Sequence, residues 1–363
     1  MNHLKKLLLC LAYTIFILGC ESSFFRNNND DIKLETAENK EKLGSENWKE
    51  TPLYKAGEYS FVPVASLITT IKAKANFDEI NKTLLLFIGD DTYYFIHTVP
   101  VVQRNGLLIP STGDDFNIID GQAWLSTNFL QERVGIDVRV QDDNAFINTT
   151  KVIETKTNNE VTGHSYIGSV ENIIGIMDIL KSPIKGAKVD TIPSHLPGAK
   201  RTYRNGFHEG MDWYGYSTGV PMNEQTEVYA MANGIIVRAD HQYKRYNSKD
   251  ERNRELQIAA KSGFTPVYIL DRLRGRQVWI QYENGLQARF AHLDRIPSGL
   301  RVGDEVTADT LIGYVGNSGT SGDVKKDRTE LHLHIDLLYR GELFWKGLTE
   351  KEIEKVLKVV FKD

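Results

Sequence analysis

The residues Leu331-His332-Leu333-His334-Ile335-Asp336-Leu337-Leu338-Tyr339 alternate in character. Leu331, Leu333, Ile335 and Leu337 fall on one face of a strand; His332, His334 and Asp336 fall on the other. A purely structural strand rarely crowds two imidazoles and a carboxylate onto one side, because each buried polar group needs a partner. A zinc site supplies such a reason. Two elements upstream carry the same residue types: Gly206-Phe207-His208-Glu209-Gly210-Met211-Asp212 and Arg289-Phe290-Ala291-His292-Leu293.

In this order, His-x3-Asp, a lone His before Leu, and His-x-His resemble the signature of the lysostaphin/LytM-type zinc metallopeptidases, which are peptidoglycan endopeptidases. The resemblance implies His208, Asp212 and His334 as ligands of one Zn2+ per chain. Two imidazoles and one carboxylate cancel one unit of the ion's charge and leave a coordination position for water. It also implies His292 and His332 as active-site histidines that do not bind the metal. An imidazole there can move a proton near neutral pH or stabilise an oxyanion. Which of the two deprotonates the water stays open. Asp336 stands where the family usually has glutamate, and is expected to orient a histidine from behind. Tyr203 is a candidate oxyanion donor. Asn317 to Gly322 resembles the family's glycine-rich loop, here followed by a longer connection to His332. The motif is not His-Glu-x-x-His, since the fifth residue is Asp212, so Glu209 is not assigned as general base. His241 fits no signature position and is expected on the surface.

From residue 186 to 350 the chain reads as strands separated by glycine turns, such as Glu283-Asn284-Gly285 between Arg276–Tyr282 and Leu286–Ala291. The expected fold is mainly β, an antiparallel sheet with an open groove. A polar insertion between Ala239 and Arg276 interrupts it. Within it Glu251 to Lys261 suits a helix, and the insertion either flanks the groove or is a solvated outgrowth. Residues 351–363 are expected to be a C-terminal tail, and 151–185 a linker with some packing, punctuated further on by Pro183, Pro193 and Pro197.

Residues 55–150 contain a repeat with a shift of 63 positions: Phe61 corresponds to Trp124, Leu67 to Leu130, Ile71 to Val134, Phe77 to Val140, Asn81 to Asn144 and Leu84 to Ile147. The expected unit is a small duplicated α+β domain. It resembles the N-terminal-like domain of copper amine oxidases, found as an accessory unit in bacterial cell-wall proteins. Trp124, Tyr93 and Tyr94 are either a glycan-binding surface or, with better support from residue preference, core positions. His97 has no second ligand nearby and reads as structural.

The chain of 363 residues is long enough for two modest domains, and a net charge of −4 gives no basic footprint for nucleic acid. At the front, Lys5 and Lys6 precede an apolar run from Leu7 to Leu18 that is short for a membrane span and suits a secretory signal. Ile17-Leu18-Gly19-Cys20 resembles a lipobox, with Cys20 lipidated. Cys10 falls in the removed part, so the mature chain has no internal disulfide. Residues 21–54 are polar and expected to be a tether.

These readings imply an exported, lipid-anchored, zinc-dependent endopeptidase that hydrolyses peptide cross-links or stems of peptidoglycan. Residues 55–150 would contact the wall or other cell-wall proteins. The alternatives are a catalytically silent scaffold or activator of other cell-wall hydrolases, and a binding module whose zinc is structural. Retention of all the signature residues argues against both.

Overall fold

The computed structural model describes residues 47–150 and 168–362. The apolar leader, Cys20 and most of the tether lie outside the described residues. Among the described residues no helix is long and apolar enough to cross a membrane.

The duplication is visible in the element order. Tyr59–Pro63, the helix Val64–Thr70 and the strands Lys74–Asp78 and Thr83–Ile88 form the first unit. Gln122–Ser126, the helical turn Phe129–Val134 and the strands Val138–Gln141 and Asn144–Asn148 form the second. The two leading strands pair antiparallel, with Trp124 opposite Pro63 and Ser126 opposite Phe61. Phe61, Leu67, Leu84, Tyr93, Leu125 and Phe129 fill the core. Tyr93 is fully buried, edge-on to Phe129 at 5.3 Å, so it is a core residue and not a glycan surface. His97 pairs with Asn117 at 3.2 Å, as a structural histidine should.

The lobe begins earlier than the composition suggests. Trp48–Pro52 pairs antiparallel with Asn144–Asn148, and Tyr54–Ala56 with Tyr59–Pro63. The expected tether therefore ends before residue 48. Lys49 and Glu50 face solvent and Thr51 is buried, so the strand needs little apolar sequence and looks like tether.

The second lobe is a seven-stranded antiparallel sheet. Its order is Met211–Trp213, Leu333–Tyr339, Leu286–Ala291, Val278–Tyr282, Gly234–Ala239 and Glu305–Val306, with Glu342–Leu343 folding back on Leu333–Tyr339. The strand Leu333–Tyr339 is buried on both faces through Leu338. Leu333, Ile335 and Leu337 join Trp213, Ile280 and Phe290 in the main core.

Two segments outside the expected limits complete that core. Residues 351–363 are not a tail: Glu350–Val360 is a helix opened by a capping box between Thr349 and Glu352. Its Ile353, Val356 and Leu357 are buried at helical spacing, and Phe361 packs edge-on against Trp213 at 5.7 Å. The helix Val170–Met177, from the expected linker, buries Val170, Ile173 and Met177 in the same core. The polar face of the C-terminal helix made its short sequence resemble a solvated end.

The insertion folds as two helices, Lys249–Ser262 and Val267–Leu273; the second was not expected from the sequence. Ser248 caps the first and Gly263, at φ 74°, ends it. Asp271 takes both ends of the Arg238 guanidinium at 2.6 and 3.1 Å, which fastens the insertion to the sheet.

The described residues form one compact unit. Ile96, Val99, Val101 and Leu108 of the first lobe pack with Val237 and Trp279 of the second. Leu108 N donates to Gln281 Oε1 at 2.8 Å, and Gln287 Nε2 to Gly106 O at 2.6 Å. At Gly106 a Cβ would lie 2.8 Å from Arg340 O, so the backbones approach too closely for a side chain.

Candidate metal centre

Strand register brings the predicted ligands together. Met211–Trp213 lies antiparallel to Leu333–Tyr339 with Asp212 opposite His334. A Cβ on Gly210 would meet Ile335 O at 2.0 Å, so glycine lets the preceding loop press onto the sheet and deliver His208. His208 Nε2 lies 2.9 Å from Asp212 Oδ1 and 3.0 Å from His334 Nδ1, and His334 Nδ1 lies 2.9 Å from Asp212 Oδ1. All three side chains are buried.

The outer atoms of each imidazole are committed elsewhere. His208 Nδ1–H donates to Leu196 O at 3.0 Å, and His334 Nε2–H donates to Asp336 Oδ1 at 2.7 Å. These bonds assign the tautomers: when both rings are neutral, the inner nitrogens present lone pairs to each other and to a carboxylate oxygen. Three converging lone pairs repel unless a proton or a metal ion sits among them. A tetrahedral zinc at about 2.0–2.1 Å from nitrogen and oxygen separates its ligands by roughly 3.3 Å, close to the triangle seen here. The donor set thus fits zinc with little movement, and these residues are the group able to hold a metal among the described residues.

Charge behind the ligands is arranged in pairs. Arg201 Nη2 donates to Asp212 Oδ2 at 3.1 Å, and Arg274 Nη2 meets Asp336 Oδ2 at 2.7 Å. Burial opposes ionisation of Asp212, but the imidazoles of His208 and His332 hold its carboxyl well below the usual range. Burial likewise opposes charge on His334, yet Asp336 and Asp212 outweigh it and raise its pKa to about 9 in the metal-free site. Burial and the neighbouring His334 lower His208 despite the pull of Asp212.

The two remaining histidines flank this triangle. His292 follows the last residue of its strand in a left-handed conformation, φ 58°, which turns its ring toward His332 and His334, at centroid distances of 4.7 and 5.7 Å. Its Nδ1–H donates to Ser318 O at 2.7 Å, leaving Nε2 unprotonated in the neutral ring. Burial, then the neighbouring His332 and His334, push its pKa well down. His332 donates from Nδ1 to Glu330 O at 2.7 Å, and its Nε2 lies 3.5 Å from Asp212 Oδ1.

Several participants escaped sequence reading. Tyr214 stacks on His332 at 4.5 Å with planes 12° apart. Its place two residues after Asp212 in an extended run was the available signal. Arg201 and Arg274 had none, since each reaches its carboxylate only through the tertiary fold. Tyr203 lies on the short turn Thr202–Arg204, 56% exposed on the cleft wall. Glu209 pairs with Arg204 at 2.7 Å, and exposed His241 meets Leu300 O at 2.7 Å; neither joins the metal group.

The ligands and flanking histidines floor a cleft of about 500 Å³. Arg252, Leu256, Leu270 and Leu273 of the insertion form one wall. The insertion therefore flanks the groove. Gly319, at φ 79°, lets the glycine-rich loop abut it: a Cβ there would lie 2.5 Å from Leu273 O.

Residues 206–344 match the sequence pattern of Peptidase family M23. No curated protein matches the chain. Among solved structures, the chain is similar to the catalytic domain of a mutant prophage-encoded M23 protein, EnpA, from Enterococcus faecalis: 21% identity, 38% of this chain and 73% of that one, TM-score 0.22. It is similar to the catalytic domain of lysostaphin from Staphylococcus simulans at 19% identity, over 52% of this chain and 98% of that one, with TM-score 0.25. A chain of the SpoIIQ–SpoIIIAH pore forming complex is similar at 15% identity, over 49% and 98%, with TM-score 0.26.

Proposed function

We propose, from the match of residues 206–344 to the pattern of Peptidase family M23, that this chain is a zinc-dependent endopeptidase acting on the peptide cross-links or stems of bacterial peptidoglycan. The observation that carries the reading is the buried triangle of His208, Asp212 and His334 with two further histidines beside it. A closed structural zinc site has no use for those two.

Zinc, when bound, supplies a Lewis acid for the scissile carbonyl and lowers the pKa of the attacking water. The chain's own residues do the rest. His292 and His332 each have Nδ1 fixed by a backbone carbonyl, so each has Nε2 available for proton exchange. As water attacks the carbonyl carbon, one imidazole takes its proton at Nε2. That proton is then delivered to the leaving nitrogen as the C–N bond breaks, giving a carboxylate and an amine. The other imidazole, once it carries a second proton at Nε2, stabilises the developing oxyanion by donating a hydrogen bond from that atom. Tyr214 stacked on His332 limits its ring motion. Arg201 and Arg274 hold the carboxylates of Asp212 and Asp336 in place.

Export and lipid anchoring at Cys20 would put this chemistry on the side of the membrane where the polymer lies, and residues 48–148 would contact the wall or another wall protein. The test is digestion of purified peptidoglycan by the zinc-loaded chain, with fragments identified by mass. Release that stops with chelator and returns with zinc is expected. A folded protein holding about one zinc that releases nothing from several peptidoglycan types would overturn the enzyme reading in favour of a scaffold.

A further inference from the structure

The insertion wall carries one charge that the peptidase reading leaves without a task. The other guanidinium groups lining the cleft each have an anionic partner: Arg201 with Asp212 at 3.1 Å, Arg204 with Glu209 at 2.7 Å, Arg274 with Asp336 at 2.7 Å. Arg252 has no ion-pair partner among the described residues. Its Nε donates to Gly319 O at 3.3 Å, which directs the side chain along the glycine-rich loop beside the metal ligands. Glu251 and Glu255, the acids nearest to it on its own helix, are both taken by Arg272. Glu330, on the same cleft, feels the charge of Arg252 but forms no ion pair with it; one of its oxygens accepts from Ser321 Oγ at 2.7 Å and Gly322 N at 3.0 Å. The terminal nitrogens of Arg252 make no hydrogen bond or ion pair among the described residues, and stand as charged donors in a half-enclosed cleft that a bound anion could engage directly.

The surroundings narrow the anion. Leu256 lies one helical turn beyond Arg252 on the same face, and Leu270 and Leu273 continue the strip from the second helix of the insertion. A guanidinium fork beside an aliphatic strip matches a carboxylate carried close to an aliphatic side chain or stem. We propose that Arg252 is a specificity-determining residue, which pairs with a free carboxylate on the peptide bound in this cleft. The proposal rests on the peptidase reading for the identity of that peptide, but the pairing itself requires only binding.

The test compares a cross-linked stem peptide having free carboxylates with the same peptide amidated. Both are offered to the zinc-loaded full chain, with binding read by fluorescence anisotropy and hydrolysis by kcat/KM. The wild type is expected to favour the free acid by about tenfold or more. Arg252→Gln should lose that preference, weakening the acid form about tenfold more than the amidated one. Arg252→Glu should reverse it, with zinc content unchanged in both. A preference in binding without hydrolysis supports Arg252 and removes the peptidase reading. Hydrolysis with equal treatment of the two peptides removes Arg252 and leaves the peptidase. A preference that survives in Arg252→Gln, or failure to bind either peptide, overturns the proposal.

Discussion

Among single residues, the division of labour between five side chains is the sharpest claim. His208, Asp212 and His334 present atoms to one point, while His292 and His332 have their Nε2 atoms outside that set. Replacing His208 or His334 with alanine should abolish both metal content and activity. Alanine at His292 or His332 should leave about one zinc bound and reduce turnover roughly 10²-fold or more, the usual scale for a lost acid or base. Metal analysis, far-UV dichroism and fragment release on each variant separate the two classes. Metal uptake should also depend on pH in a defined direction. In the metal-free site His334 titrates at about 9, so near neutrality zinc must displace its proton. Apparent affinity should rise about tenfold per pH unit from roughly pH 6 to 8 and flatten above about 9; chelator competition across pH measures it. That these five side chains would converge was legible because they stand in short motifs in a fixed order. Arg274 and Arg201 were not, because nothing in Leu273-Arg274-Gly275 or Lys200-Arg201-Thr202 says which carboxylate the folded chain will bring to them.

At the level of elements, periodicity predicted what it governs and missed what packing decides. The strand Leu333–Tyr339 and the first insertion helix were visible in alternation and composition. The C-terminal helix was hidden because only a narrow stripe of it is apolar, yet that stripe closes the core. Leu357→Ala should therefore destabilise the protein by about 2–5 kcal/mol, as buried leucine truncations do, read as a lower urea midpoint at unchanged slope. The insertion makes a different kind of contribution: it ends in Arg274, whose guanidinium holds Asp336 behind His334. Arg274→Ala should weaken zinc binding about 10–100-fold, the range seen when a ligand loses its orienting partner. It should do so while the described ligands remain intact, and zinc competition on the folded variant checks it. A zinc affinity equal to wild type would show that the insertion does not support the centre.

Across the whole molecule, the sequence reading of an N-terminal duplicated unit and a C-terminal strand-rich unit corresponds to the two lobes described, while the helix Val170–Met177 of the expected linker packs into the second. The attachment of the lobes was not legible, since Trp279, Val237 and Leu108 are ordinary apolar residues that acquire a meaning only where the lobes meet. Membrane attachment belongs to this scale too: Cys20→Ser should abolish lipid labelling and release the chain from membranes, and continued lipid incorporation would reject the anchor. The seam has a consequence for melting and for inheritance. Two beads on a string denature separately and can be traded between chains. Here the Gly106 and Arg340 backbones touch, and Trp279 is roofed by its neighbour, so removing either half opens a wet scar on the other. The pair should unfold in one calorimetric peak, and the coding segments of the two lobes should be shuffled only as a set.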